Sequence, residues 1–270
     1  MFSKNKNKII KIKNDKNSES RAPGVKWNPW VGVLLVLAIY VLSQVVGLVI
    51  LIYPVLLHWS GPRISNWLSN DIYAQFFYIL IVEVFTVLSV LQLLKWFKVD
   101  KRVIGLRKPK LKDPLYSLAA VPVYYISYIV IIIILSTFIK GLNVSEAQNV
   151  GFNHVHGVAQ LVVTFISLVI LPPIAEEILV RGFLYSSLKK GLPQIVAALL
   201  TSLIFASAHL PEGTTGLLWV GFIETFILSL ILIYLREKSG GLWAGMGLHA
   251  INNGVAYYII YLAPLLTLHI

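Results

Sequence analysis

The chain contains no cysteine and few charged side chains. Of its 270 residues, 57% are hydrophobic and only 13% are charged, and the mean hydropathy is +0.77. The absence of cysteine excludes disulfides, zinc sites built from thiolates and a cysteine nucleophile. So little charge, together with long apolar runs, indicates a protein that spans a membrane.

Two peptidase motifs are also absent. There is no G-x-S-x-G elbow for a serine nucleophile and no H-E-x-x-H helix for a catalytic zinc ion. Acidic residues are scarce, with 12 Asp and Glu against 23 Lys and Arg. The basic residues lie in short segments between apolar runs, which is the pattern that orients membrane proteins. We therefore predict no nucleic-acid partner.

Seven apolar segments are long enough to cross a bilayer of roughly 30 Å. The first has 22 uncharged residues, longer than a signal-peptide core, so we expect it to be retained. The fourth contains Pro172-Pro173, which kinks a helix or restarts it, and a restart would give an eighth span. The fold class predicted is all-α, a polytopic membrane helix bundle of about seven transmembrane helices. The segments are 31–52, 72–94, 115–139, 158–188, 192–210, 217–235 and 242–262.

The basic residues predict the orientation. With the N-terminus inside, 20 of the 23 Lys and Arg residues are cytoplasmic, Arg63 and Lys140 are outside, and Arg181 lies within a span. We therefore expect an integral protein of a bacterial plasma membrane, with a cytoplasmic N-terminus and an external C-terminus. Its predicted parts are a basic, disordered tail at 1–30, N-terminal spans with a basic loop at 31–112, a membrane core at 113–262 and a short tail at 263–270.

The fourth span carries three charged side chains, Glu176, Glu177 and Arg181. Glu177 and Arg181 are four residues apart and share a helix face, so they can pair, whereas Glu176 points elsewhere. Charged residues within hydrocarbon are costly and commonly functional. A carboxylate left free in a dry environment can act as a general base. The alternative is an ion network that only holds helices together.

Two further polar pairs occur at helical spacing in later spans. Phe205 and His209 share one face, and His249 and Asn253 share another. A single intramembrane histidine commonly joins helices through a hydrogen bond. Three polar clusters on successive apolar segments instead provide a general base, its partner and two oxyanion donors. These are the parts that amide hydrolysis requires.

Taken together, Glu176-Glu177-x-x-x-Arg181, Phe205-x-x-x-His209 and His249-x-x-x-Asn253 resemble the three motifs of the CPBP intramembrane proteases. That family includes the type II CAAX prenyl endopeptidases and the bacterial Abi and lysostaphin-resistance-like proteins, and the resemblance covers about residues 115–262. It implies a catalytic core open to the cytoplasmic side. Glu176 and His209 would activate water, and His249 and Asn253 would bind the oxyanion. Glu177, Arg181 and Phe205 would support that geometry.

The resemblance implies an endopeptidase that acts on a peptide or membrane protein in the bilayer, without an acyl-enzyme. No cofactor is expected. Two Glu and two His could bind zinc, but Glu177 has an arginine partner, so we favour a metal-free site. The alternatives are a non-catalytic immunity or scaffold protein in the membrane and a proton-coupled transporter. We see none of the internal repeats that are common in transporters.

Other polar residues are assigned to the structure rather than to chemistry. The His154-x-His156 pair is a weak metal signal and fits an ordinary loop. Glu83 and Glu224 lie in apolar spans, where each could face the cavity or bond to a neighbouring helix. We expect the structural role for both.

Overall fold

The computed structural model describes residues 24–267, and in that range the secondary structure is helical, with one isolated bridge between Gln148 and Gly213. The predicted tail at 1–30 and the C-terminal tail lie mostly or partly outside the described residues. Within these residues eight helices of 10 or more residues follow one another. Their bounds are α1 Pro29–Leu56, α2 Gly61–Asn70, α3 Ile72–Trp96, α4 Asp113–Phe138, α5 Gly157–Gly191, α6 Gln194–Ala208, α7 Trp219–Ser239, and α8, which runs through Trp243–Tyr257, Tyr258–Leu262 and Ala263–Thr267.

Local sequence explains several of these boundaries. Asn28 caps α1 by accepting from the Trp30 N–H at 2.9 Å, and Pro29 follows at the first helical position. Asp71 caps α3 by accepting from the Ala74 N–H at 2.8 Å. Gly240 ends α7 with φ of +69°, a left-handed conformation that glycine adopts readily.

Six helices in the described part of the chain are long and apolar enough to cross a membrane, namely α1, α3, α4, α5, α6 with its following turn, and α7. The protein is an integral membrane protein, and the predicted fold class is confirmed. The seventh predicted span forms α8 but is not among those six helices. It is less apolar because His249, Asn252 and Asn253 lie in its middle.

The helix α5 continues through Pro172-Pro173 without a break, so the predicted alternative of an eighth span is wrong. The chain accommodates the prolines with a π-helical turn at Ile166–Ile170, and a second one covers Glu177–Leu184. Since proline has no N–H, Leu168 finds no backbone donor four or five residues ahead. The Asn253 amide of α8 donates to the Leu168 carbonyl instead, at 2.9 Å. The prolines thereby tie a candidate site residue to α5.

The basic segments meet at one end of the bundle, called here the basic end. The segments that precede α1 and follow α3, α5 and α7 all contribute. Their contacts are Lys26 Nζ to the Lys98 carbonyl (2.9 Å), Lys190 Nζ to the Trp27 carbonyl (2.8 Å) and Arg107 Nε to the Gly240 carbonyl (3.1 Å). Arg107 also forms two hydrogen bonds with Asp113, and these raise the pKa of Arg107.

The opposite end, called here the loop end, is formed by the connections α4–α5 and α6–α7. Gln148 donates to Glu212 at 2.6 Å, and the Phe152 N–H donates to Gln75 at 2.7 Å. Tyr261 of α8 donates to the Gly151 carbonyl at 3.3 Å. The basic end therefore contains every described segment that was predicted to be cytoplasmic. The loops described here lie at the opposite end.

Helix α1 packs closely on the C-terminal part of α5. Trp27 donates its Nε1–H to Ser187 Oγ at 2.8 Å and stacks on Phe183 with ring centroids 4.6 Å apart. A Cβ atom added at Gly32 would lie 2.3 Å from Ser187 Cβ. Gly32 is thus required by this close approach, and the N-terminal span supports the helix that carries the acidic motif.

We expect Gly32→Ala to destabilise the protein by about 1–3 kcal/mol, because the new methyl group overpacks the contact with Ser187. Thermal unfolding of the purified protein in detergent measures this. The matched control is Gly61→Ala, where a Cβ meets no heavy atom within 4 Å. Equal unfolding midpoints for the two variants would contradict the close approach.

Candidate active site

The predicted pair of Glu177 and Arg181 is present in α5. Glu177 Oε1 accepts from Arg181 Nη1 at 2.8 Å, and the two side chains are only 1% and 0% exposed. Arg181 also lies with its guanidinium carbon 4.1 Å from the centre of the Phe205 ring on α6. A buried charge needs such partners because its desolvation is costly. Glu177 and the Phe205 ring together compensate the positive charge of Arg181.

His249 of α8 lies between the two glutamates. Its Nδ1 is 3.3 Å from Glu177 Oε1, and its Nε2 is 3.7 Å from Glu176 Oε2. Gly245, one turn earlier, leaves room for this arrangement, since a Cβ there would lie 2.9 Å from Glu177 Oε2. The sequence prediction missed the contact between Glu177 and His249. The glycine on the same face as His249 was the signal for it.

His209 follows the last residue of α6, and a backbone carbonyl of that helix fixes the orientation of the imidazole ring. The Phe205 carbonyl can only accept, so His209 Nδ1 donates to it, at 2.9 Å. In the neutral ring the proton on Nδ1 leaves Nε2 as an acceptor. The ring also lies edge-on to Phe205, with centroids 4.7 Å apart. Phe205 thus positions both Arg181 and His209.

The two adjacent amides of α8 have different partners. Asn253 Nδ2 donates to the Leu168 carbonyl, and an amide nitrogen carries a second hydrogen that this bond does not use. Asn252 Oδ1 accepts from the Tyr125 hydroxyl of α4 at 3.2 Å. Both amides are therefore held in place by neighbouring helices.

A cavity of about 340 Å³ brings the four residues predicted to be catalytic together. Glu176, His209, His249 and Asn253 line it, as does Phe205, whereas Glu177 and Arg181 lie buried behind its wall. The Glu176 side chain is 28% exposed. Among the described residues, the imidazole within 4 Å of Glu176 is that of His249, whereas the resemblance pairs Glu176 with His209.

Other cavity residues were not assigned to the site from the sequence. Glu224 of α7 lines the cavity and also accepts from the Tyr124 hydroxyl of α4 at 2.8 Å. It therefore both faces the cavity and bonds to a neighbouring helix, the two alternatives that the sequence left open. Glu83 of α3 is not part of the lining. Gln148 and Glu212 border the cavity from the loops at the loop end. Helical spacing gives no signal for such loop residues.

Loop residues next to this border are also connected. Glu146 accepts from the Thr215 hydroxyl and from the Thr215 N–H, the latter at 2.7 Å, and from Thr214 at 3.0 Å. These hydrogen bonds, led by that of the Thr215 hydroxyl, lower the pKa of the Glu146 carboxyl. The charged carboxylate therefore holds the α4–α5 and α6–α7 loops together beside the cavity.

The described residues contain no group of three or more His, Asp or Glu side chains placed to hold a metal. Glu177 is engaged by Arg181, and His154 and His156 lie in the loop before α5. The expectation of a metal-free site stays a prediction.

Residues 158–255 match the family model described as Rce1-like, type II CAAX prenyl endopeptidase. No curated protein and no solved structure matches the chain. The matched segment extends from α5 into α8 and contains all three motifs, from Glu176 to Asn253. Over residues 158–255 the chain is therefore similar to the Rce1-like type II CAAX prenyl endopeptidases, and the family resemblance predicted from the motifs is confirmed.

Proposed function

We propose that the protein is an intramembrane endopeptidase that hydrolyses a peptide bond of a membrane-associated peptide or protein with an activated water molecule. The observation that carries this proposal is the convergence of Glu176, His209, His249 and Asn253 on one cavity inside an apolar bundle. The segment that supplies them matches a family of proteases. One acid, two imidazoles and an amide around one space are suited to amide hydrolysis.

In this proposal Glu176 is the general base. Its carboxylate is partly exposed in the cavity and takes no part in the pair of Glu177 and Arg181. It accepts a proton from water while the water oxygen attacks the peptide carbonyl carbon. His209 Nε2 accepts the second hydrogen bond of that water. When the C–N bond breaks, the proton held by Glu176 passes to the leaving amine.

His249 and Asn253 form the oxyanion hole. Asn253 offers the hydrogen that its bond to Leu168 leaves unused. With Nδ1–H donated to Glu177, His249 donates from Nε2 to the oxyanion when both ring nitrogens carry hydrogen. Donors fixed before the reaction stabilise the developing charge without reorganisation. Glu177 is then a positioning residue that acts through His249.

We expect Glu176→Gln to lower turnover by at least about 10²-fold while the protein stays folded, because the amide cannot take the proton from water. Cleavage of a peptide library in proteoliposomes, read by mass spectrometry, and thermal unfolding measure the two properties. The control is Glu83→Gln, which replaces an acid outside the cavity lining. Full turnover by Glu176→Gln would show that Glu176 is not the general base, whereas no cleavage by the unsubstituted protein would favour a binding protein or transporter over the protease.

Glu177→Gln should lose stability as well as activity. The substitution leaves Arg181 buried without its carboxylate, and breaking a buried pair in this way typically costs about 3–5 kcal/mol. It also removes the charge beside His249 Nδ1. Unfolding midpoints of Glu177→Gln and Glu176→Gln, measured side by side, should separate the two acids. Equal stability and full activity of Glu177→Gln would show that the pairing is wrong.

Asn253→Ala should lower kcat by roughly 10²- to 10³-fold and change KM little, as expected for the loss of an oxyanion donor. It should also lower the free energy of unfolding by about 1–3 kcal/mol, because the Leu168 carbonyl loses its donor. The comparison variant is Asn252→Ala, which removes the amide that bonds to Tyr125, and its effect on kcat should be smaller. A higher KM with unchanged kcat in Asn253→Ala would assign Asn253 to substrate binding.

A further inference from the structure

The cavity extends from the site toward one end of the bundle. Helix α8 begins at the basic end, where Trp243 Nε1 donates to the Arg107 carbonyl at 2.6 Å, and its Tyr261 reaches the loop end. On this helix the lining starts at His249 and continues only toward the loop end. The lining residues beyond the motif are Ala256, Tyr257, Ile260 and Tyr261.

The neighbouring helices show the same direction. Helix α6 starts beside Lys190 at the basic end, and the cavity meets it at Phe205 and His209, near its opposite end. Helix α7 ends at the basic end, and its lining residues, Gly221 to Leu228, all lie in its first half. Gln148 and Glu212 border the cavity beyond the helix ends. The cavity therefore lies in the half of the bundle that is nearer the loop end.

The basic end is closed above the site. Ile104, Leu184, Leu188 and Leu242 fill the space between the site and that end, and each is at most 1% exposed. Gly182 lies directly beneath this layer, because a Cβ there would be 3.3 Å from the Ile104 carbonyl. A second cavity at the basic end, lined by Lys95 and Trp243 among others, shares no lining residue with the site cavity.

We propose that the active site is reached from the non-cytoplasmic face of the membrane. The basic segments that predict the cytoplasmic side lie at the closed end, and the cavity lies toward the other end. This differs from the cytoplasmic opening that the family resemblance implies, and it is argued from the chain's own basic residues and from the position of its cavity. The inference rests on the proposed protease function and specifies its substrates.

The substrate class follows from this direction of access. The scissile bond belongs to a segment presented outside the cytoplasm, such as an exported peptide or an external loop or end of a membrane protein. A cytosolic protein anchored by a prenyl group to the inner leaflet would face the closed end. We therefore assign this site to exported or membrane-spanning polypeptides.

Single-cysteine labelling tests the proposal cleanly because the chain has no cysteine. Ala256→Cys and Thr225→Cys place a thiol in the cavity on two different helices, Thr215→Cys marks the loop end, and Lys110→Cys marks the basic end. A membrane-impermeant maleimide is applied to whole cells and then to permeabilised cells. We expect the cavity and loop-end thiols to react in whole cells. The thiol at position 110 should react only after permeabilisation.

The other outcomes overturn the proposal. Cavity thiols that react only after permeabilisation would place the opening in the cytoplasm. Cavity thiols that stay unreactive in both preparations, while Thr215→Cys is labelled from outside, would show that the cavity does not open at the loop end. Labelling does not depend on turnover, so either result leaves the protease test with Glu176→Gln unaffected. Conversely, absence of cleavage by the unsubstituted protein together with the expected labelling would refute only the protease.

Discussion

The arrangement of the site depends on the burial of one ion pair in an apolar bundle. Arg181 has no exposed surface, and its charge is compensated by Glu177 on its own helix and by the Phe205 ring on α6. The same Glu177 oxygen faces His249 on α8. Because a buried charge without partners is strongly destabilising, the pair constrains how α5, α6 and α8 meet. The catalytic geometry proposed here is a consequence of that constraint.

Adjacent positions in the acidic motif thereby acquire different tasks. Glu177 points into the packed interior and is neutralised, whereas Glu176, about 100° away around the helix, reaches the cavity. The proline pair before them adds a second attachment, since it frees the Leu168 carbonyl for Asn253. Among the contacts that hold helix α8 to α5 are consequently those of His249 with Glu177 and of Asn253 with the Leu168 carbonyl.

Much of this could be predicted from the sequence because the signals are local. Hydropathy placed the second span at 72–94, against Ile72–Trp96 in the structure, and spacing of four residues predicted the contact between Glu177 and Arg181. The bond of His249 to Glu177 was not predictable from spacing, since it depends on how closely α8 approaches α5 at Gly245. The cavity border also escaped prediction because it is formed by loops.

The polar residues of α8 link the site to the insertion of the helix itself. His249, Asn252 and Asn253 make α8 less apolar than the six clear spans, and polar groups at membrane depth are tolerated where protein or a water-filled cavity surrounds them. Each has a partner on another helix: Glu177 on α5, Tyr125 on α4 and the Leu168 carbonyl on α5. The cost of placing these side chains in the membrane is therefore offset only when α4, α5 and α8 are assembled. In this protein the α8 residues to which the proposed hydrolysis is assigned also make the position of α8 depend on its neighbours, so the fold and the site must form together.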